Sequence, residues 1–327
     1  MVPETADTVS LVLRVPDVLV DAFAYEAGQF CTFRAPVDGA THLRCYSMSS
    51  APAVGDTLQV TVKRVVGGVV SNWMADTLRA GSLIDTTCPA GVFTLRHALG
   101  RGDIVAFCGG SGITPVFSIV KTALATTERR IRLLYANRDA ESVIFGAELE
   151  KLAAQHPDRF TLVSHLDGES GFVDAASVQA FARGARDPDY FICGPGPFMD
   201  IVETGLLAHH VGRDRIHIER FTAAEVVEAA SPDAADGMTV TIELDGKTVS
   251  RAHHPGTTIL QTARQMGLSP PYSCESGSCA SCMARLVDGT VSMHVNNALT
   301  ADEVAEGWIL TCQSVPTSPA VSVVYEY

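Results

Sequence analysis

The chain has 327 residues, which allows two or three domains at roughly 100–200 residues each. Hydrophobic residues make up 46% and charged ones 19%, so burial can offset chain entropy and global disorder is excluded. Its 24 basic and 37 acidic side chains leave a net charge of −13, which argues against a nucleic-acid partner because phosphates repel an acidic surface.

No run approaches the roughly 18–20 uninterrupted apolar residues that span a bilayer, so no membrane partner is expected. Met1-Val2-Pro3-Glu4-Thr5 lacks a basic region followed by an apolar stretch, so a secretory signal is not expected and the expected location is cytoplasmic. An odd count of nine cysteines argues against a secreted disulfide scaffold.

The first segment, 1–100, reads as short strands joined by Gly/Pro turns. Leu58 to Val65 alternates apolar and polar residues, the pattern of a half-buried antiparallel strand in a small barrel or sandwich. Arg44-Cys45-Tyr46-Ser47-Met48 places Arg44, Tyr46 and Met48 on one face. Arg44 can grip a phosphate, Tyr46 can lie on an aromatic ring, and Ser47 can hydrogen-bond a ring nitrogen. A plain barrel strand with a surface Arg is the competing reading. Gly67-Gly68-Val69-Val70-Ser71-Asn72-Trp73 can offer backbone N–H groups and the Ser71 hydroxyl to the same phosphates.

The rhythm changes over 101–222. Asp103 to Cys108 is a nearly continuous apolar run, typical of a strand buried on both faces. A helix is predicted from Val116 to Ala125, a strand from Ile131 to Ala136, a helix from Glu148 to His156, and strands at Phe160–Ser164 and Tyr190–Cys193. Such alternation implies a parallel α/β sheet. Gly109-Gly110-Ser111-Gly112-Ile113-Thr114-Pro115 lies between strand and helix, where bare N–H groups can cradle a diphosphate. Cys193-Gly194-Pro195-Gly196-Pro197 is a second special turn at the strand end where α/β ligands sit. Either could also be a close-packed turn without a ligand.

Residues 223–236 are small and acidic with one proline, and are predicted to be a linker. The last segment, 237–327, opens with alternating Val240 to Leu244 and a hairpin turn at Asp245-Gly246. It also carries Cys274-x4-Cys279-x2-Cys282, with Cys312 further on. That is the plant-type spacing for a two-iron, two-sulfur cluster, in which small residues let a tight loop aim several sulfurs inward. Structural zinc is the rival, but zinc sites usually pair their ligands and Cys312 stands alone. His209-His210 and His253-His254 read as surface or loop histidines, and Asp56, Asp76 and Asp85 as solvated.

Taken in order, Arg44-Cys45-Tyr46-Ser47, Gly110-Ser111-Gly112-Ile113-Thr114-Pro115, Cys193-Gly194-Pro195-Gly196-Pro197 and the four cysteines make the sequence resemble one family over almost its whole length. This is the flavin-dependent ferredoxin reductases that carry a C-terminal plant-type ferredoxin domain and serve as reductase components of multicomponent oxygenases. Reductases of ketosteroid hydroxylases are the nearest likeness, with those of phenylacetyl-CoA epoxidases and aromatic-degradation oxygenases as alternatives. A ferredoxin-like carrier without flavin activity is the alternative of another class.

The resemblance implies an antiparallel β-barrel flavin domain, an α/β parallel-sheet nucleotide domain and an α+β, β-grasp ferredoxin domain. It implies that Arg44, Tyr46, Ser47 and Ser71 bind the flavin. Gly110, Ser111, Gly112, Thr114, Pro115, Cys193, Gly194 and Pro195 would hold the nicotinamide cofactor. Phe221 would cover the flavin, and Glu219 would help orient the reacting pair. Cys274, Cys279, Cys282 and Cys312 would ligate the 2Fe-2S cluster. Ser71-Asn72-Trp73 resembles members that use FAD rather than FMN, and Asp139 and Glu141 would favour NADH over NADPH by repelling a 2′-phosphate, whereas Arg138 could attract one. A terminal oxygenase protein would be the electron acceptor.

Overall fold

The computed structural model describes residues 1–95, 102–221, 238–244, 246–268, 270–272, 277, 280–296 and 298–325. The chain divides into two compact units, Met1–Phe221 and Thr222–Tyr327. The predicted linker at 223–236 and the Asp245 turn position lie outside the described residues.

The first unit opens with an antiparallel layer. Strands β1 (Val2–Thr5), β2 (Thr8–Val12), β3 (Phe30–Val37), β4 (Ala40–Ser47) and β5 (Gln59–Lys63) precede helix α1 (Val69–Thr77) and the short strand β6 (Asp85–Thr86). Two three-stranded sheets form, ordered β1-β2-β5 and β4-β3-β6. They are joined by a bridge between Met48 and Val60. Alternation drives this: Leu11, Phe33, Met48, Val60 and Val62 turn inward to one core that α1 covers with Val70 and Met74.

A parallel sheet follows, built from β7 (Ile104–Gly109), α2 (Ile113–Thr126), β8 (Ile131–Asn137), α3 (Gly146–Gln155), β9 (Phe160–Leu166), α4 (Asp167–Ser170), α5 (Ala175–Ala182), β10 (Asp189–Cys193), α6 (Gly196–Ala208) and β11 (Ile216–Glu219). The strand order is β11-β10-β7-β8-β9, all parallel. All six residues of β7 are buried, as expected for a central strand with helices on both faces. The chain winds one way from β7 through β9 and then returns to the other side of β7. The crevice between β7 and β10 is therefore the topological switch point, where open α/β sheets bind their ligands.

The opposite edge of this sheet is held by charge. Asp189, fully buried, accepts from Arg129 Nη2 at 2.5 Å and Arg215 Nη1 at 3.2 Å. Asp189→Ala would take the buried carboxylate from two guanidinium groups whose side chains are 12% and 19% exposed, leaving Arg129 with the Gly102 and Asp103 carbonyls and Arg215 with Asp187. The expected cost is about 2–3 kcal/mol of stability, less than for a wholly uncompensated buried charge because each guanidinium keeps other acceptors. Urea unfolding followed by flavin fluorescence measures it, and a loss below about 1 kcal/mol would place this cluster among the weak surface pairs.

The second unit contains β12 (Thr239–Leu244), β13 (Lys247–Ala252), α7 (Ile259–Gln265), β14 (Met283–Asp288), β15 (Val291–Met293), α8 (Ala301–Ala305), β16 (Trp308–Leu310), β17 (Ser314–Pro316) and β18 (Ala320–Val324). Its main sheet is ordered β13-β12-β18-β14-β16, with β12 and β18 parallel and the other pairs antiparallel. Ile259 and Ala263 of α7 pack into its core beside Val240, Ile242 and Val323, which is the β-grasp arrangement. His253 lies in a loop as expected, yet it is buried, and its Nδ1 lies 2.9 Å from Thr262 Oγ1.

Candidate functional site

The flavin-side residues sit at the end of β4. The β3–β4 ladder pairs Phe33 with Arg44, Cys31 with Tyr46 and Phe30 with Ser47. Tyr46 packs edge-on to Phe33 with ring centroids 5.8 Å apart. Burial pushes its phenol well above the usual range, against a smaller pull from Arg44, so Tyr46 stays a neutral, flat surface. Ser47 is 2% exposed, and its Oγ has no hydrogen-bond partner among the described residues. A buried hydroxyl left unsatisfied is costly, and a ring nitrogen of a bound flavin would satisfy it.

Ser71 lies in the first turn of α1, where its Oγ accepts from Val65 N–H at 3.1 Å. That bond uses a lone pair and leaves the hydroxyl proton to donate. Asn72 Nδ2 donates to the Gly68 and Val65 carbonyls at 2.6 and 3.0 Å, which holds the 65–71 turn against the helix. The sequence assigns this stretch no element. The helix begins at Val69, so the N–H groups offered there are those of a helix N-terminus.

The nucleotide-side residues gather at the switch point. The turn Gly110–Gly112 joins β7 to α2, and Thr114 Oγ1 donates to the Ser111 carbonyl at 3.1 Å. Pro115 falls in the first turn of α2, where its missing N–H costs no helical bond. The second loop presses directly on the first. A Cβ on Gly112 would lie 2.1 Å from the Cys193 carbonyl oxygen, and one on Gly194 would lie 2.9 Å from Gly109 N. Gly110 has a φ of +52° with open space above it. A backbone cradle too tight for side chains and open on one side is the form a diphosphate needs.

Cys193 and Glu219 face each other across the β10–β11 ladder, and Cys193 and Cys108 across β10–β7. Burial pushes the Cys193 thiol well above its ordinary value, with Glu219 and Cys108 adding to the effect. It is a neutral thiol. Arg220 bonds Asp200 and Glu203 of α6 at 2.9 and 3.1 Å, which anchors the segment that ends at Phe221, itself 41% exposed.

The two halves of this unit are fastened beside the site. Ser118 Oγ on α2 donates to the Ser50 carbonyl at 2.5 Å, three residues beyond Ser47. Lys121 forms an ion pair with Asp56, so Asp56 is not the solvated residue the sequence suggests. The sequence also gives no sign of Asn137, which is buried at the end of β8 with no partner for its Oδ1 among the described residues. A cleft of about 550 Å³, lined by Glu4, Lys121 and Lys151 among others, contains none of the predicted site residues.

In the second unit, Cys282 and Cys312 are 2% and 6% exposed and share a small core with Leu260, Leu299 and Leu310. Met283 pairs with Leu310 across β14–β16, and this register brings the two cysteine-bearing chain ends together. Gly277 and Ala280 adopt left-handed backbone, with φ of +75° and +55°. Cys274 and Cys279 lie outside the described residues. Two buried thiols at adjoining strand ends, beside a left-handed loop, fit the thiolate set of an iron–sulfur cluster.

Comparison with known proteins agrees with this geometry. Residues 4–95 match the oxidoreductase FAD-binding domain, 107–204 the oxidoreductase NAD-binding domain, and 242–317 the 2Fe-2S iron-sulfur cluster binding domain. The chain is therefore a flavin- and iron–sulfur-dependent oxidoreductase. Over 99% of its length it is 40% identical to the 3-ketosteroid-9-alpha-monooxygenase ferredoxin reductase component of Rhodococcus rhodochrous, covering 94% of that protein. It is 32% identical, over 99% of this chain and 95% of the relative, to one of the subunits of the 1,2-phenylacetyl-CoA epoxidase of Escherichia coli. The chain belongs to the family of ferredoxin reductase components of oxygenases. Its fold matches phthalate dioxygenase reductase with a TM-score of 0.60 at 24% identity, over 99% of this chain and 95% of that one. The match at 4–95 sets aside the alternative of a carrier with no flavin domain. Among the described residues no helix is long and apolar enough to cross a membrane.

Proposed function

We propose that this chain is the NADH-dependent reductase of a multicomponent oxygenase and delivers single electrons to a terminal oxygenase of the ketosteroid-hydroxylating kind. The observation that carries the reading is the pairing of a flavin-side hydroxyl, Ser47, with a nucleotide cradle at the β7–β10 switch point in one compact unit, on a chain that also bears the four-cysteine set. A nicotinamide gives up two electrons as a hydride, a flavin can accept that pair and release it singly, and a two-iron cluster takes one at a time. The phenylacetyl-CoA epoxidase reductase is the second reading, favoured by the full-length 32% identity.

The roles follow from chemistry at each position. Arg44 holds a flavin phosphate, Tyr46 lies on the ring system and Ser47 donates to a ring nitrogen. Ser71 and the first turn of α1 meet the pyrophosphate. Gly110 to Pro115 and Cys193 to Pro195 hold the nicotinamide nucleotide, with Asn137 Oδ1 ready to accept from it. Glu219 and the neutral Cys193 border the reacting ring, and Phe221 moves aside to let the two rings stack. The proposed domains are 1–100 for FAD, 101–222 for NAD and 237–327 for the cluster. The segment 223–236 is the proposed linker between the second and third of these.

The direct test is anaerobic purification followed by flavin extraction, iron and sulfide assay, and titration with NADH. The expected result is one FAD, two irons, and reduction by NADH that bleaches flavin and cluster together. Protein that carries iron but cannot bind FAD would overturn the reading.

NADH preference rests on Asp139. Its carboxylate accepts from Arg138 Nε at 2.7 Å and from Ser142 N–H at 2.9 Å, and these bonds hold it below the usual carboxylate range. Arg138 is thereby occupied by an internal anion. Asp139→Ser keeps a cap for the turn, removes the charge and releases Arg138. It should raise kcat/KM for NADPH by about 10- to 100-fold, the worth of one hydrogen bond to a charged group. Steady-state kinetics with both nucleotides check this, and an unchanged NADPH value would remove Asp139 from the discrimination.

A further inference from the structure

One hydrogen-bonded chain in the second unit starts at the C-terminal end of the described residues and finishes on a cysteine of the cluster set. Tyr325, which follows β18, is 5% exposed, and its hydroxyl donates to Thr311 Oγ1 at 2.9 Å. Thr311 is fully buried. Its Oγ1 donates to the Cys282 carbonyl at 2.8 Å, and its backbone N–H donates to the same oxygen at 3.2 Å.

The direction of this chain is set by proton count. A threonine hydroxyl has one proton and two lone pairs. Tyr325 fills one lone pair of Thr311 Oγ1, so the Thr311 proton is committed to Cys282. Thr311 is also the residue directly before Cys312. One residue thus ties the backbone of one cysteine of the set to the backbone of another. Tyr325 is itself fixed from the sheet side: its N–H donates to the Glu243 carbonyl at 3.0 Å, and its ring packs in the core with Val240, Ile242 and Ile309. A phenylalanine would fill this core as well; what the hydroxyl adds is the bond to Thr311.

We propose that Tyr325 is a positioning residue for the iron–sulfur cluster, acting through Thr311 to hold Cys282 and Cys312 at the separation their ligation requires. This rests on the assignment of those two cysteines as cluster ligands. The cluster's hold on the chain then depends on the core of the sheet and not only on the cysteines themselves.

The test uses the full-length protein loaded with flavin and cluster. Tyr325→Phe keeps the ring and removes the hydroxyl. Its cluster should bleach about five-fold faster in the presence of an iron chelator, the ratio for one net hydrogen bond of about 1 kcal/mol. The electron paramagnetic resonance signal of the reduced cluster should broaden as the ligand geometry loosens. Flavin content and NADH–ferricyanide activity, which belong to the other unit, should stay at the wild-type level. Thr311→Val should show at least the same loss, Thr311→Ser should restore wild-type behaviour, and Tyr325→Phe should add nothing in the Thr311→Val background. A Tyr325→Phe protein with wild-type bleaching and resonance, or effects at the two positions that simply add, would overturn the proposal while leaving the cluster assignment intact. Wild-type protein that takes up no iron would overturn the assignment itself and the proposal with it.

Discussion

A Gly112→Ala protein should keep its FAD and lose about 100-fold in kcat/KM for NADH. The backbone at Gly112 is helical, with φ of −61°, so alanine meets no conformational strain there. The penalty is contact alone. The new methyl would sit 2.1 Å from the Cys193 carbonyl oxygen, 2.3 Å from its carbon and 2.6 Å from Gly194 N. All three are backbone atoms and cannot rotate away, so the two loops at the switch point must part. Hydride transfer tolerates this poorly, since a displacement of about 1 Å in the bound geometry costs on the order of 100-fold. Gly196→Ala is the control: its Cβ would meet nothing within 4 Å, and near-normal kinetics are expected. Stopped-flow reduction of the flavin by NADH separates this from a binding defect in the flavin half. An undiminished rate in Gly112→Ala would move the nicotinamide site away from the β7–β10 crevice.

Cys312→Ser should abolish reduction of cytochrome c and leave NADH–ferricyanide reduction intact. Cys312 is buried at the end of β16 beside Cys282, in the unit that excludes every flavin- and nucleotide-side residue. Serine offers a harder oxygen in place of a thiolate and does not suit iron–sulfur ligation. The visible absorption of the cluster should vanish while flavin fluorescence remains, because nothing in Met1–Phe221 is touched. Cys279→Ser should behave in the same way. Ferricyanide can take electrons from the flavin directly; a protein acceptor of single electrons is expected to need the cluster. Cytochrome c reduction at the wild-type rate in a cluster-free protein would break the order of the relay.

Local signals are readable where they are dense. The apolar run ending at Cys108 places β7 within one position, and the alternation around Val60 marks β5. The helix after the Gly-rich turn starts at Ile113, three residues before the expected Val116, because Thr114 and Pro115 occupy a first turn that needs no N–H donors. Helix α1 goes unpredicted: two glycines precede it, and its apolar contacts at Val70 and Met74 span a single turn, too short a run to show a period. Asp56 and Asn137 give no signal at all. Their significance lies in what stands opposite, Lys121 for one and an unfilled acceptor position for the other, and neither depends on neighbouring residues.

The chemistry is what residue type and spacing announce. Cysteines at 274, 279, 282 and 312, a glycine turn between a buried strand and a helix, and Arg-x-Tyr-Ser ahead of both, in that order, define which groups this protein can hold. Where those groups meet is decided only by the fold. The switch point exists because β10 returns to the far side of β7, and the cradle is tight because Gly112 and Cys193, some eighty residues apart, touch backbone to backbone. The chain from Tyr325 through Thr311 to Cys282 has the same origin. Contacts of this range leave no periodic trace in a sequence, since they arise when strand register brings distant segments to one edge.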